Sequence, residues 1–309
     1  MRKVSYLMIL AIAIIFSCSS AYAQVDPKEL LESAKDHVNS GNYYKAKEEL
    51  KEYKIREPKD YSADYLLGYI LFKEANYDKA ITYFNKSIAL KEDHARSYLY
   101  RGRCYFILKK TDQALKDFQK AVDIDPKDYL GYMFMGEVNR QAGQYEKALI
   151  YYDKAINIKP REAELYNYKG MAERELGLYE KAVSDHTKSI ELKDKEPSAY
   201  YNRGRAYLGW KKTDKALKDL NRAISLEPNN GVPYYFRAVI FEGQGKIKEA
   251  RQDYKHFLQI NPLGYEKEKQ IAKDKCDTLN PDDEPVSTPA ATPTGTPSTP
   301  QEPSDDTTP

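Results

Sequence analysis

The sequence predicts an all-α solenoid, built from short helical pairs stacked one on the next. Two observations carry this. Alanine recurs at 46, 80, 114, 148, 182, 216 and 250, always 34 residues apart. In the same frame glycine falls at 68, 102, 136, 170 and 204, and proline at 58, 126, 160, 228 and 262. Self-similarity at a fixed period of this length marks a repeat architecture. The frame runs from Pro27 to Gly264 with no insertion or deletion. It gives repeats at 27–60, 61–94, 95–128, 129–162, 163–196, 197–230 and 231–264.

Each repeat reads as two amphipathic helices. Small residues at repeat positions 8 and 20 let the pair approach closely, and the proline ends the second helix. Tyr43, Tyr77, Tyr145 and Tyr179 share one frame position just after the turn between the helices, where rings can plug the corner. Much of the skew to 28 tyrosines against one tryptophan is therefore architectural. No repeat can bury its apolar face alone, so neighbours stack and the ends need caps. Tyr265, Ala272 and Cys276 lie at helical spacing, which predicts a capping helix over 265–276.

These residues resemble the tetratricopeptide repeat family: Gly at position 8, Ala at 20, an aromatic near 24, Pro at 32. The best copy is Pro197 to Asn230, with Tyr200, Gly204, Tyr207, Ala216, Ala223 and Pro228 at the family's positions. The resemblance implies a right-handed superhelix that holds protein partners and catalyses nothing. It also implies a concave face lined by positions 2, 5, 9 and 12 of each first helix. On this chain that face takes in Tyr65, Tyr69, Arg96, Leu99, Arg103, Phe106, Met133, Arg140, Asn167, Met171, Arg174, Tyr201, Arg205, Leu208 and Tyr235. Arginines interleaved with aromatics and methionines suit an extended peptide that carries carboxylates and apolar anchors. The alternative is an adaptable solvated surface with no dedicated ligand. The Lys/Asn carboxylate clamp of chaperone-binding members is not apparent.

The repeats also carry an internal duplication. Lys86-Ser87-Ile88-Ala89-Leu90-Lys91 returns as Lys188-Ser189-Ile190-Glu191-Leu192-Lys193, and Tyr98-x-x-Arg101-Gly102-Arg103 as Tyr200-x-x-Arg203-Gly204-Arg205. The shift is 102 residues, three repeats. A pairing is legible as well. Position 7 is cationic at Arg101, Lys169, Arg203 and Arg237, and sixteen residues on stand Asp117, Asp185, Asp219 and Asp253. Where position 7 is Leu67 or Met135, the partner is Tyr83 or Tyr151. This predicts a part-buried salt bridge between the two helices of a repeat, exchangeable for an apolar contact. Ser33 with Glu49 breaks the rule in the first repeat.

The ends differ from the body. Met1-Arg2-Lys3 precedes an apolar run from Val4 to Phe16, shorter than the roughly 17–25 residues that span a bilayer. Ala21-Tyr22-Ala23 then offers a cleavage site, so residues 1–23 read as a secretory signal with Gln24 as the new N-terminus. A rival reading takes Ile15-Phe16-Ser17-Cys18 as a lipoprotein box, lipidated at Cys18 and anchored to a membrane. Both place the mature chain outside the cytoplasm, periplasmic, secreted or outer-membrane associated. Residues 277–309 hold eight prolines, eight threonines and seven acids, with no base and no aromatic. Such a composition predicts disorder. Asp277-Thr278-Leu279 and Asp306-Thr307-Thr308 resemble a bacterial O-glycosylation triplet, with a plain solvated tail as the alternative.

Composition excludes several functions. Forty-nine Lys and Arg against 47 Asp and Glu argue against a nucleic-acid binder, and 31 % charged residues against a membrane-embedded body. No HExxH, GxSxG or phosphate-loop pattern is present, and Gly243-Gln244-Gly245-Lys246 is too short for the last. His37, His94, His186 and His256 are isolated; His186 takes the aromatic slot at position 24 and reads as core. Cys104 and Cys276 lie too many repeats apart for a disulfide, though Cys276 could pair between molecules. The expectation is an exported scaffold for protein partners in envelope assembly or secretion. It needs no cofactor, metal, nucleic acid or small-molecule substrate. The alternatives are a lipoprotein doing the same work, a non-catalytic regulatory subunit of an envelope enzyme, or a glycosylated structural protein.

Overall fold

The computed structural model describes residues 25–279. Residues 1–23, read above as a secretory signal, and Cys18 within them lie outside the described residues, as does the tail beyond Leu279. Every regular element among the described residues is a helix. The first six pairs are α1 (Pro27–Asn39) and α2 (Tyr43–Arg56), α3 (Tyr61–Lys73) and α4 (Tyr77–Leu90), α5 (Ala95–Ile107) and α6 (Thr111–Ile124), α7 (Tyr129–Gln141) and α8 (Tyr145–Ile158), α9 (Ala163–Glu175) and α10 (Tyr179–Leu192), α11 (Pro197–Gly209) and α12 (Thr213–Leu226). Then come α13 (Val232–Gly243), α14 (Ile247–Ile260) and α15 (Glu266–Thr278). No helix among the described residues is long and apolar enough to cross a membrane.

The helices start and stop for local reasons. Side chains of Asp26, Asp60 and Asp128 accept the backbone N–H of Lys28, Ser62 and Leu130 at 2.7, 2.7 and 3.0 Å, which satisfies one orphan donor at each N-terminus. The turn inside each repeat passes through one left-handed residue: Gly41, Ala75, Lys109, Gly143, Gly177, Lys211 and Gly245. These are 34 residues apart, so one backbone solution serves every repeat.

Two compact units divide the chain, one ending at Leu226 and the other beginning at Glu227. The sequence frame expects one stack from 24 to 276. In a solenoid each repeat touches only its neighbours, so a joint between repeats is where such a division falls. In the first unit each first helix packs on its own second helix, and that on the next first helix. The seven frame alanines, six here and Ala250 in the second unit, are all fully buried. A Cβ on Gly68, Gly102, Gly136 or Gly170 would sit 2.6–2.9 Å from the ring at position 24: Phe84, Phe118, Tyr152 or His186. Glycine is thus required for the helices to close on those rings.

In the second unit α14 packs on both α13 and α15 around Tyr254, Phe257 and Ala272. Helix α15 is the expected cap, but it runs two residues past 276. Thr278 of the first glycosylation triplet lies in its last turn, its hydroxyl donating to the Asp274 carbonyl at 2.8 Å.

The position-7 pairs form as a ladder. Arg101, Arg203 and Arg237 each grip Asp117, Asp219 and Asp253 through two parallel bonds of 2.7–2.8 Å. Leu67 and Tyr83 belong instead to one apolar cluster, and Met135 and Tyr151 to another. Ser33 donates to Glu49 at 2.9 Å. Lys169 reaches Asp185 at 3.4 Å but lies nearer Asp153 of the preceding repeat, at 2.9 Å.

Candidate functional site

The first helices of the first unit touch one another in order, α1 with α3, α3 with α5 and so on to α11. Three of them, α1, α3 and α5, line an open pocket of about 400 Å3. Its wall includes the predicted Tyr65, Tyr69 and Arg96, together with Lys35, Tyr61, Tyr100 and His94. Tyr61 lies 4.5 Å from the His94 ring, Tyr65 meets it edge-on at 4.8 Å, and Tyr69 meets Tyr100 edge-on at 5.0 Å. Burial, then Lys91 and Arg96, push His94 down to about 4, so it is a neutral ring at pH 7. Its Nδ1 sits 2.7 Å from the Ser97 hydroxyl. The positive charge of this pocket therefore comes from Lys35 and the exposed Arg96. Sequence reasoning set His94 aside as isolated, because its partners are distant in sequence, as Tyr61 and Tyr65 are, or belong to the next repeat, as Ser97 does.

Arg103 stands on an aromatic platform. Its guanidinium lies 4.6 Å from the ring of Phe72, 5.0 Å from Tyr100 and 4.9 Å from Phe134, on α3, α5 and α7. Each ring contributes a cation–π attraction of about 0.5–1 kcal/mol, more where water is excluded. Its Nε is buried and makes no hydrogen bond. Phe72 holds position 12 of its repeat, inside the rule though not among the residues named for the face, whereas Tyr100 and Phe134 both hold position 6 and fall outside it. Phe106 is half-buried against the neighbouring core of Tyr98, Leu99 and Phe118, on which Phe134 also packs.

The other predicted residues divide by depth. Met133, Leu99 and Tyr235 are buried in hydrophobic cores, Tyr235 among Phe236, Tyr254 and Phe257. Asn167 is buried too: its Oδ1 lies 2.9 Å from Nδ1 of the fully buried His186 and accepts from Asn202 at 3.1 Å. These four serve packing rather than display, which corrects their placement on an open face. His186 is a core residue as expected; burial, then Arg174 and Arg203, push it down to about 3. Arg140 turns inward, donating to both oxygens of Glu137 at 2.9 and 2.7 Å, while the Tyr152 hydroxyl donates to the same carboxylate at 3.1 Å. Met171, Tyr201 and Leu208 are half-buried. The Arg205 guanidinium lies 5.6 Å from the Tyr201 ring, and Arg174 pairs with Glu175 at 2.7 Å.

Among the described residues no group of three or more potential metal ligands comes together. Cys104 is buried, its thiol pushed up to about 12 by that burial, and Cys276 is half-buried.

Fold and face together define a protein-interaction scaffold. Tetratricopeptide repeat profiles match residues 31–92, 95–128, 131–162, 197–230 and 233–262, more than half of the chain. The chain belongs to the tetratricopeptide repeat family. The pair α9–α10 continues the same architecture through 163–196. A tetratricopeptide repeat protein from Parabacteroides merdae is 20 % identical with a TM-score of 0.62, over 81 % of this chain and 97 % of that one. The Cut9–Hcn1 hetero-tetramer of the APC/C gives 18 % and 0.64, over 82 % of this chain. This chain spans 46 % of that one, about half its length. Yeast Tom70 gives 19 % and 0.54, over 85 % and 57 %. At such identities the likeness is one of fold. A search of curated proteins finds no match.

Proposed function

We propose that this chain is an exported, non-catalytic scaffold that docks an extended, carboxylate-bearing peptide or helix of a protein partner along its first-helix face, in cell-envelope assembly or secretion. The observation that carries the reading is Arg103: a cation raised on three rings, with its Nε buried and unbonded. A purely structural arginine in this chain looks different, as Arg101 does with both bonds to Asp117. The aromatic-walled pocket of α1, α3 and α5 gives an apolar anchor a place beside it, and Arg96 a second cation. Export rests on the signal-like residues 1–23 and their cleavage site.

The test is a cross-linked pull-down from native envelope with wild type and with Arg103→Glu plus Arg205→Glu. The reading expects a discrete set of envelope proteins, held by wild type and lost by the double variant at unchanged helicity and melting. Capture that survives the double variant contradicts it.

A further inference from the structure

Repeat position 7 is a cation in four repeats, and one of the four is built differently. In the third, sixth and seventh repeats an arginine there grips both oxygens of the aspartate sixteen residues on, at 2.7–2.8 Å. Position 11 of the same repeats is a ring: Tyr105, Tyr207 and Phe241. In the fifth repeat position 7 is Lys169 and position 11 is Glu173. The Lys169 ammonium lies 2.9 Å from Asp153 of the preceding repeat and 3.4 Å from Oδ2 of Asp185. The aspartate oxygen that a guanidinium clasps elsewhere is here buried and without a hydrogen bond.

A pocket of about 330 Å3 opens at this place. Its wall includes Asp153 of α8, Lys169 and Glu173 of α9, and Lys181 and Asp185 of α10. Glu173 lies deepest: it is only 3 % exposed, and its Oε2 is buried with no hydrogen bond. Three carboxylates thus face two ammonium groups. Burial, and after it the charge of Asp185, push Glu173 up to about 8, so a proton stands in for the missing cation. Two buried carboxylate oxygens without a donor, beside one uncompensated negative charge, are the complement of a guanidinium fork.

We propose that this pocket receives an arginine side chain of a protein partner, whose guanidinium bridges Asp185 and Glu173 where the other repeats use an arginine of their own. Second helices α8 and α10 frame the site, so it stands apart from the first-helix docking face. A guanidinium offers several N–H donors in one plane and can serve both carboxylates together, whereas a lysine ammonium acts as a point charge. The groups that face Glu173 are Asp185 and Lys181 on α10, Lys169 on its own helix and Asp153 across the pocket on α8. As the guanidinium enters, Glu173 gives up its proton to solvent, so uptake of one cation is linked to release of one proton.

The probe is N-acetylarginine methylamide, titrated into the full chain at low salt and followed by saturation-transfer NMR. Wild type should bind it saturably, and the capped lysine analogue about ten-fold more weakly or worse. Lys169→Arg keeps the charge and copies the residue of three other repeats. Its own guanidinium should close on Asp185 and weaken binding about ten-fold or more. Glu173→Gln keeps the shape and removes the titrating group, so binding should weaken and lose its pH dependence. In wild type, affinity should rise at least about ten-fold from pH 6 to pH 8 and level off above, as Glu173 loses its proton. No binding by wild type, unchanged binding in Lys169→Arg, equal binding of the lysine analogue, or an affinity indifferent to pH would each overturn the proposal. Free arginine held more tightly than the capped form would assign the pocket to the amino acid and overturn it too. These variants leave Arg103 and Arg205 in place, so failure here with peptide capture intact condemns the arginine pocket alone.

Discussion

Arg101 on α5 and Asp117 on α6 face each other across one repeat and share two parallel hydrogen bonds of 2.8 and 2.7 Å. The third guanidinium nitrogen, Nη1, donates to Asn85 of the preceding repeat at 2.6 Å. Arg203 repeats the arrangement with Asp219 and, at 3.1 Å, Thr187. Position 7 therefore ties its own two helices together and stitches them to the repeat before.

The exposure left to this pair, 18 % for Arg101 and 8 % for Asp117, predicts an asymmetric response to mutation. Asp117→Ala strands a part-buried cation and should destabilise by about 2–4 kcal/mol. Arg101→Leu with Asp117→Tyr copies the Leu67–Tyr83 pair and should recover most of that loss. Chemical denaturation of the three variants checks it; a double variant no better than Asp117→Ala would refute the exchange.

The left-handed turn residue makes a second prediction. Ala75, Lys109 and Lys211 adopt φ of 58°, 61° and 59°, a conformation that costs an ordinary residue about 1–2 kcal/mol. Substituting glycine at any of them should stabilise by about 0.5–1 kcal/mol after the entropy of the freer unfolded chain is set against it. Gly177→Ala should lose a similar amount, although nothing lies within 4 Å of the added methyl. Melting temperatures of these variants separate backbone strain from packing.

Close approach at position 8 should grade with distance. A methyl on Gly102 would lie 2.8 Å from the Phe118 ring, one on Gly204 3.2 Å from Leu220. Gly102→Ala should cost about 1–3 kcal/mol, and Gly204→Ala measurably less, because the branched side chain can yield. Equal losses would mean that the ring is not what excludes the side chain.

The fifth repeat should respond to pH from both sides. His186, held near 3 in the fold by burial and by Arg174, takes up its proton near 6.5 only when unfolded, so stability falls as pH drops from about 6.5 to 3. Glu173 is pushed up to about 8 by burial and by Asp185. Folded protein keeps that proton where the unfolded chain has lost it, so its contribution is complete below about 4.5 and gone above 8. His186→Phe should flatten the acid side of a melting profile and Glu173→Gln the alkaline side. Unaltered slopes would contradict the assignments.

How far these features were legible depends on how local their causes are. The buried alanines, the closing glycines and the Arg–Asp ladder recur in one 34-residue frame, so one chain displays the alanine seven times, the glycine five times and the Arg–Asp pair three times. His186 was legible from its register alone. The strained turns were not, because Lys109 and Lys211 carry no side-chain mark of φ > 0; only Gly41, Gly143, Gly177 and Gly245 in the same frame betray the turn. Depth was also hidden. A helix position names a face, but whether Met133 or Tyr235 is displayed or buried depends on the neighbouring helix. The Lys169–Asp153 contact and the reach of Arg103 to Phe72 and Phe134 arise between repeats, at separations that no single-repeat rule inspects.

The most direct test of the docking face uses a photo-cross-linking residue placed singly at Tyr69 or Phe106 on first helices, and at Tyr44, 77 % exposed on the second helix of the first repeat. Irradiation in native envelope should yield discrete protein adducts from Tyr69 and Phe106 that vanish in the Arg103→Glu, Arg205→Glu background, and none from Tyr44. Adducts from Tyr44 with none from Tyr69 or Phe106 would contradict the account.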